Sequence, residues 1–166
     1  MSDPLADQVP PDLLMAQLDG AFNADYTRAF GNHFGFYYRA GRALATVCLK
    51  PDCHDPVGEA VTAGCYGAAL GADQALWVCS AVEDHPLGLG DRFLMMLYTD
   101  QWGTKALWRR QLSIGDDGRI VGVGDWEQRP SEGVPLLECL GVPWQAGDGD
   151  AEVIKGLLES RGHLVK

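Results

Sequence analysis

Residues 55–82, DPVGEAVTAGCYGAALGADQALWVCSAV, decide the fold class of this chain. Val57, Ala60, Val61, Gly64, Cys65 and Ala68 recur at i, i+3, i+4, i+7, i+8 and i+11, the spacing of one apolar stripe on a helix. Asp55 is placed to cap the N-terminus, and Pro56 suits the first helical position, where its missing N–H leaves nothing unpaired. Glu59 falls in the first turn, where a carboxylate favours the helix dipole. Gly71 supplies the left-handed residue that ends the helix. The small residues Ala60, Gly64, Gly67 and Ala68 allow the helix to lie close against a sheet. Beyond Gly71-Ala72-Asp73, the nearly continuous apolar run 75–82 predicts a strand covered on both faces and therefore central in its sheet.

Three more strands follow. Residues 92–99 are apolar through Phe93-Leu94-Met95-Met96-Leu97, and Gln101-Trp102-Gly103 turns the chain back into a strand over 104–112. Gly115-Asp116-Asp117-Gly118 then makes a hairpin loop to a strand over 119–123. The segment 129–149, with Pro130, Pro135 and Pro143, reads as mostly irregular apart from one helical turn over 136–140. A last helix over 150–160 places Val153, Ile154, Leu157 and Leu158 on one face with Asp150 as cap.

Upstream, residues 34–49 fit two periods. Phe34, Tyr37, Gly41, Leu44 and Cys48 fall at helical spacing, yet Phe34, Phe36 and Tyr38 alternate, and so do Ala43, Ala45, Val47 and Leu49. Glycines at 35 and 41 each disfavour a helix by about 1 kcal/mol relative to alanine. The reading is therefore a β-hairpin turning at Arg39-Ala40-Gly41-Arg42. Residues 1–11 read as a flexible lead, followed by a short helix from Asp12, its cap, with Leu14, Leu18 and Phe22 on one face. The expectation is one α+β domain over 12–166. Its sheet is mostly antiparallel with five or six strands, one main helix packs on a face, and further helices stand at the N- and C-terminal ends.

This hairpin, helix and strand meander resembles small bacterial α+β proteins in which a buried strand, ending in an acidic residue, follows a helix with a Gly-Ala-Asp-like break. The matching positions are 36–49, Gly71-Ala72-Asp73 and Glu83, and the resemblance implies a fold without implying an activity.

The 166 residues suffice for one core without disulfides or metal. A net charge of −10, with Arg109-Arg110 the one adjacent basic pair, argues against a nucleic-acid groove. No stretch reaches the ~20 apolar residues of a membrane span, and residues 1–8 lack the basic and apolar regions of a secretory signal. The five cysteines form no framework spacing and read as reduced thiols, which with the missing signal points to the cytoplasm. Abundant Ala, Gly and Arg with few Ile and Asn is a bias of GC-rich bacterial or viral genomes.

No catalytic signature is present, and the reading leans away from an enzyme. The loop-borne tryptophans suggest a protein that acts through contacts with other proteins, as an accessory or self-associating subunit without a cofactor. Trp102, Trp108, Arg109, Trp126 and Trp144 are its candidate contact residues, because tryptophan and arginine are enriched in interface hot spots. The strands over 92–99 and 104–112 are the expected source of an exposed apolar face or pairing edge. The alternative is a metal-dependent hydrolase built around Glu83, Asp84, His85 and Asp91, a polar cluster where the most buried strand ends. JAMM-type metallopeptidases place a His-x-His pair before proline, whereas Glu83 stands where the first histidine would be. Cys48, Cys53 and His54 form a weaker zinc alternative, lacking the paired short-loop spacing of structural sites.

Overall fold

Residues 34–49 fold as the hairpin, not as a helix. The structure, a computed structural model, describes residues 9–50, 53–83, 91–145 and 150–165. The hairpin strands are β1 (His33–Arg39) and β2 (Arg42–Leu49), and Ala40 and Gly41 at the turn take φ of 49° and 78°. Positive φ at both central residues gives the mirror-image turn whose twist matches that of the strands. The helix α2 (Pro56–Ala69) follows, its N-terminal Gly58 N–H donating to the Asp55 carboxylate at 3.1 Å. Its other end closes through Gly71, at φ 91°, with Ala72 N–H donating to Gly67 C=O at 3.0 Å.

Strands β3 (Gln74–Glu83), β4 (Asp91–Asp100), β5 (Lys105–Ile114) and β6 (Ile120–Arg129) complete a six-stranded antiparallel sheet in the order β2-β1-β3-β4-β5-β6. β3 is interior, as its apolar run requires. The last strand runs past the expected 119–123 to Arg129. The ladder shifts register between Arg109 and Gln111, and Gly124 takes φ 73° opposite that shift, so pairing resumes with Arg109 opposite Glu127. An edge strand faces solvent over much of its length, so this bulged half carries no apolar alternation to announce it.

Both faces of the sheet are covered. On one, α1 (Pro11–Phe22) lays Leu14, Met15 and Leu18 over Leu76, Val78, Met96, Tyr98 and Trp108. On the other, α2 shares the surface with α3 (Pro135–Gly141), a 3-10 turn (Val142–Gln145) and α4 (Ala151–Ser160). Ala60, Ala63 and Tyr66 meet Leu137, Leu140 and Leu158 there, over Tyr37, Trp77, Leu97 and Leu107. The single main helix expected on a face is thus one member of a three-helix layer. The reason lies in α2's small stripe: Gly64 abuts Pro143 and Gly67 abuts the Tyr37 ring, so the helix packs both down on the sheet and sideways.

Two further expectations change. β4 and β5 are interior strands with both edges paired, so neither offers a pairing edge. The two edge strands are each met by chain from outside the sheet, β2 through a bridge from Val47 to Leu164 and β6 through one from Val121 to Asp25. Asp12 lies inside the first turn of α1 and does not cap it, because the helix starts one residue earlier behind Pro10. Of the lead over 1–11, residues 1–8 lie outside the described residues. Val9 packs against the α1 core and its C=O accepts from the Gln74 side chain at 2.6 Å.

Candidate functional site

Two of the sequence-selected tryptophans come together. The β4–β5 turn carries Trp102, the α3-to-3-10 segment carries Trp144, and both line a cleft of about 480 Å³ with Asp100, Lys105, Glu138 and Val142. The turn is held by Asp100, whose one oxygen accepts from Trp102 N–H and Thr104 N–H, each at 2.9 Å. The other oxygen accepts from the Tyr98 hydroxyl at 2.8 Å, and that hydroxyl in turn accepts from Gln74 Nε2 at 2.8 Å. Asp100, Thr99 and Gln74 are all buried. A carboxylate with this many donors rigidifies the loop that presents Trp102.

On the opposite wall, Trp144 Nε1–H donates to Thr99 Oγ1 at 3.0 Å, pinning the 3-10 turn to β4. Lys105 and Glu138 bridge the two walls with an ion pair of 3.0 Å. Trp102 remains 37% exposed and Val142 50% exposed, so two apolar side chains stand open on a fixed frame among the polar Gln101, Thr104, Lys105 and Glu138.

The other candidates are dispersed. Trp108 is 4% exposed and belongs to the core under α1, because β5 is covered on both faces, so it presents no contact surface. Arg109 lies over the Phe93 ring, 4.4 Å from its centroid, and pairs with Glu127 at 3.5 Å across the β5–β6 ladder. Trp126 stands on β6, not in an irregular segment, and packs edge-on against Tyr26 with ring centroids 6.4 Å apart.

Glu83 and Asp91 are register partners where the β3–β4 ladder ends, while Asp84 and His85 lie outside the described residues. Cys48 sits near the end of β2, and Cys53 and His54 in the loop before α2. Among the described residues, no three His, Cys, Asp or Glu side chains converge as a metal site.

A second cleft, also about 480 Å³, opens on the α2 and α3 side of the sheet. His33 of β1, opposite Leu49 of β2, and Trp77 and Cys79 of β3 form its floor; Val57 of α2 and Leu136 and Cys139 of α3 form its walls. Burial pushes the His33 imidazole below its ordinary pKa and the Cys79 thiol up to about 12. Neither cleft has a local signature: each is assembled from positions scores of residues apart, and only Trp102 and Trp144 were distinctive as residue types. A scan of protein-family models and searches of curated proteins and of solved structures return no significant match to this chain.

Among the described residues, no helix is long and apolar enough to cross a membrane.

Proposed function

We propose that this is a non-enzymatic protein acting through contacts with other proteins, as a self-associating or accessory subunit, and that the Trp102 cleft is its contact point. The observation that carries this reading is a part-exposed tryptophan on a turn locked by a buried carboxylate, beside the exposed Val142. An aromatic anchor ringed by polar groups is the anatomy of an interface hot spot. Because Asp100 already holds the turn, ordering it on association carries little further entropic penalty. The Lys105–Glu138 pair adds one charge of each sign at the rim, suited to selecting a partner's orientation.

Light scattering on size-separated protein at several concentrations tests it. The expected result is a mass above that of one chain, from a second copy or a co-eluting protein, which Trp102→Ala returns to that of one chain. A wild-type protein that stays monomeric and alone at all concentrations overturns the reading.

A further inference from the structure

We propose that the cleft between α2, α3 and the sheet binds an uncharged small molecule with an alkyl or aromatic body and a single hydroxyl or carbonyl group, received by His33. This site is separate from the Trp102 cleft and does not depend on the protein-contact reading.

Three observations select that ligand class. The first is size and shape: about 480 Å³ is some three times the ~150 Å³ that holds a benzene ring, and falls within the range of small-molecule sites. The second is the lining. Leu49, Val57, Ala60 and Leu136 present hydrocarbon, and the Trp77 indole has its N–H already engaged by the Tyr37 hydroxyl. The other polar side-chain atoms among the described lining residues are the His33 imidazole and the Cys79 and Cys139 thiols. An extended peptide laid here would leave its backbone N–H and C=O groups facing hydrocarbon, an unfavourable burial. A molecule with one polar group would not. The third is charge. Among the described residues no Lys or Arg lines the cleft, so a carboxylate or phosphate would enter without a counter-ion from them. Loss of water around the half-buried His33 disfavours its charged form, and the neutral imidazole offers one N–H to donate and one nitrogen to accept.

The cleft is also preformed. Gly35 leaves room for the Trp77 indole, since a Cβ there would stand 2.5 Å from the ring, and Tyr37 fixes the indole N–H at 3.1 Å. Trp77 is therefore a rigid floor that keeps its place when the cleft is empty.

The test uses the full chain, 1-octanol as probe and octanoate as its charged counterpart of equal length at pH 8. Binding is read by the His33 imidazole NMR signals and by the rate of Cys139 alkylation. Octanol is expected to shift the His33 signals saturably and slow Cys139 alkylation at least threefold, with octanoate at least tenfold weaker. His33→Leu is expected to weaken octanol binding about fivefold to tenfold, His33→Gln less, and Val57→Trp, which fills the mouth from an exposed position, to abolish it. The proposal is overturned by any of three results: no saturable shift up to the solubility of octanol, octanoate binding as tightly, or unchanged octanol protection of Cys139 in Val57→Trp.

Discussion

The Trp77 indole lies against the backbone of Gly35, its register partner on β1, so closely that a Cβ at Gly35 would stand 2.5 Å from the ring. Its N–H donates to the Tyr37 hydroxyl at 3.1 Å, with the two rings edge to face at 6.3 Å. Gly35→Ala is expected to destabilise the fold by about 1–3 kcal/mol through overpacking. A urea titration should show a lower midpoint at unchanged slope. Trp77→Leu in the same background should cost less than the sum of the two single changes, because the leucine leaves the space the methyl needs. Strict additivity would show that the ring and the glycine are not in conflict.

Ala40 holds φ 49° at the hairpin turn, a conformation that disfavours an L-residue by roughly 1–2 kcal/mol. It is retained because the turn is braced from outside: Ala40 N–H donates to the Asp73 carboxylate at 3.3 Å, and Asp73 N–H to Tyr38 C=O at 2.8 Å. Ala40→Gly is expected to stabilise the protein by about 0.5–1 kcal/mol after the added freedom of the unfolded chain is subtracted. The same change at Ala43, an exposed position within β2, should lose a similar amount. A thermal melt in which Ala40→Gly lowers the midpoint as Ala43→Gly does would refute the strain argument.

The turn that presents Trp102 separates two roles. Asp100→Ala removes the acceptor for two backbone N–H groups and the Tyr98 hydroxyl and is expected to cost about 2–4 kcal/mol. Trp102→Ala touches an exposed side chain and should stay within about 0.5 kcal/mol of wild type. Chemical denaturation of both variants checks this. Equal losses would mean that Trp102 is a structural residue.

These residues also mark how far a sequence reaches. The α2 helix, its Asp55 cap and its Gly71 stop were legible because each is a local device with its own chemistry. The interior place of β3 was legible because an apolar run on both faces has no other home in an antiparallel sheet. Trp77 and Trp108 are equally buried, yet only the first stood in such a run. Trp108 is followed by Arg109-Arg110, whose charges are met by Glu127 across β6 and by the Tyr26 hydroxyl, at 2.8 Å from Arg110, outside any local window. The two clefts were illegible for the same reason. His33, Cys79 and Cys139 become neighbours only through strand order and the seating of α3, which no short stretch encodes.

Cysteine chemistry should sort by burial. Cys79 is buried in the floor of the α2–α3 cleft, and loss of water pushes its thiol up to about 12, so almost none is thiolate near neutral pH. Cys48 and Cys65 are raised by burial to a lesser degree. Alkylation of native protein at pH 7.5, followed by peptide mass spectrometry, is expected to leave Cys79 as the last thiol modified and to release it on adding denaturant. Early modification of Cys79 in folded protein would contradict the packing of β3.

His33 should give the fold a pH dependence of definite sign. Burial lowers its folded-state pKa below the unfolded value of about 6.5, and among the described residues no charged side chain lines the cleft to oppose this. The unfolded chain therefore binds a proton first as the pH falls, so the stability present above pH 6.5 is progressively lost as the pH drops through the folded pKa. His33→Gln removes the titrating group while keeping a hydrogen-bonding side chain. The difference in stability between wild type and His33→Gln, taken from denaturant midpoints at pH 7.5 and pH 5, is expected to move against wild type at the lower pH. A constant difference, or one that favours wild type in acid, would mean that His33 is solvated in the folded protein and that the cleft is wetter than its lining implies.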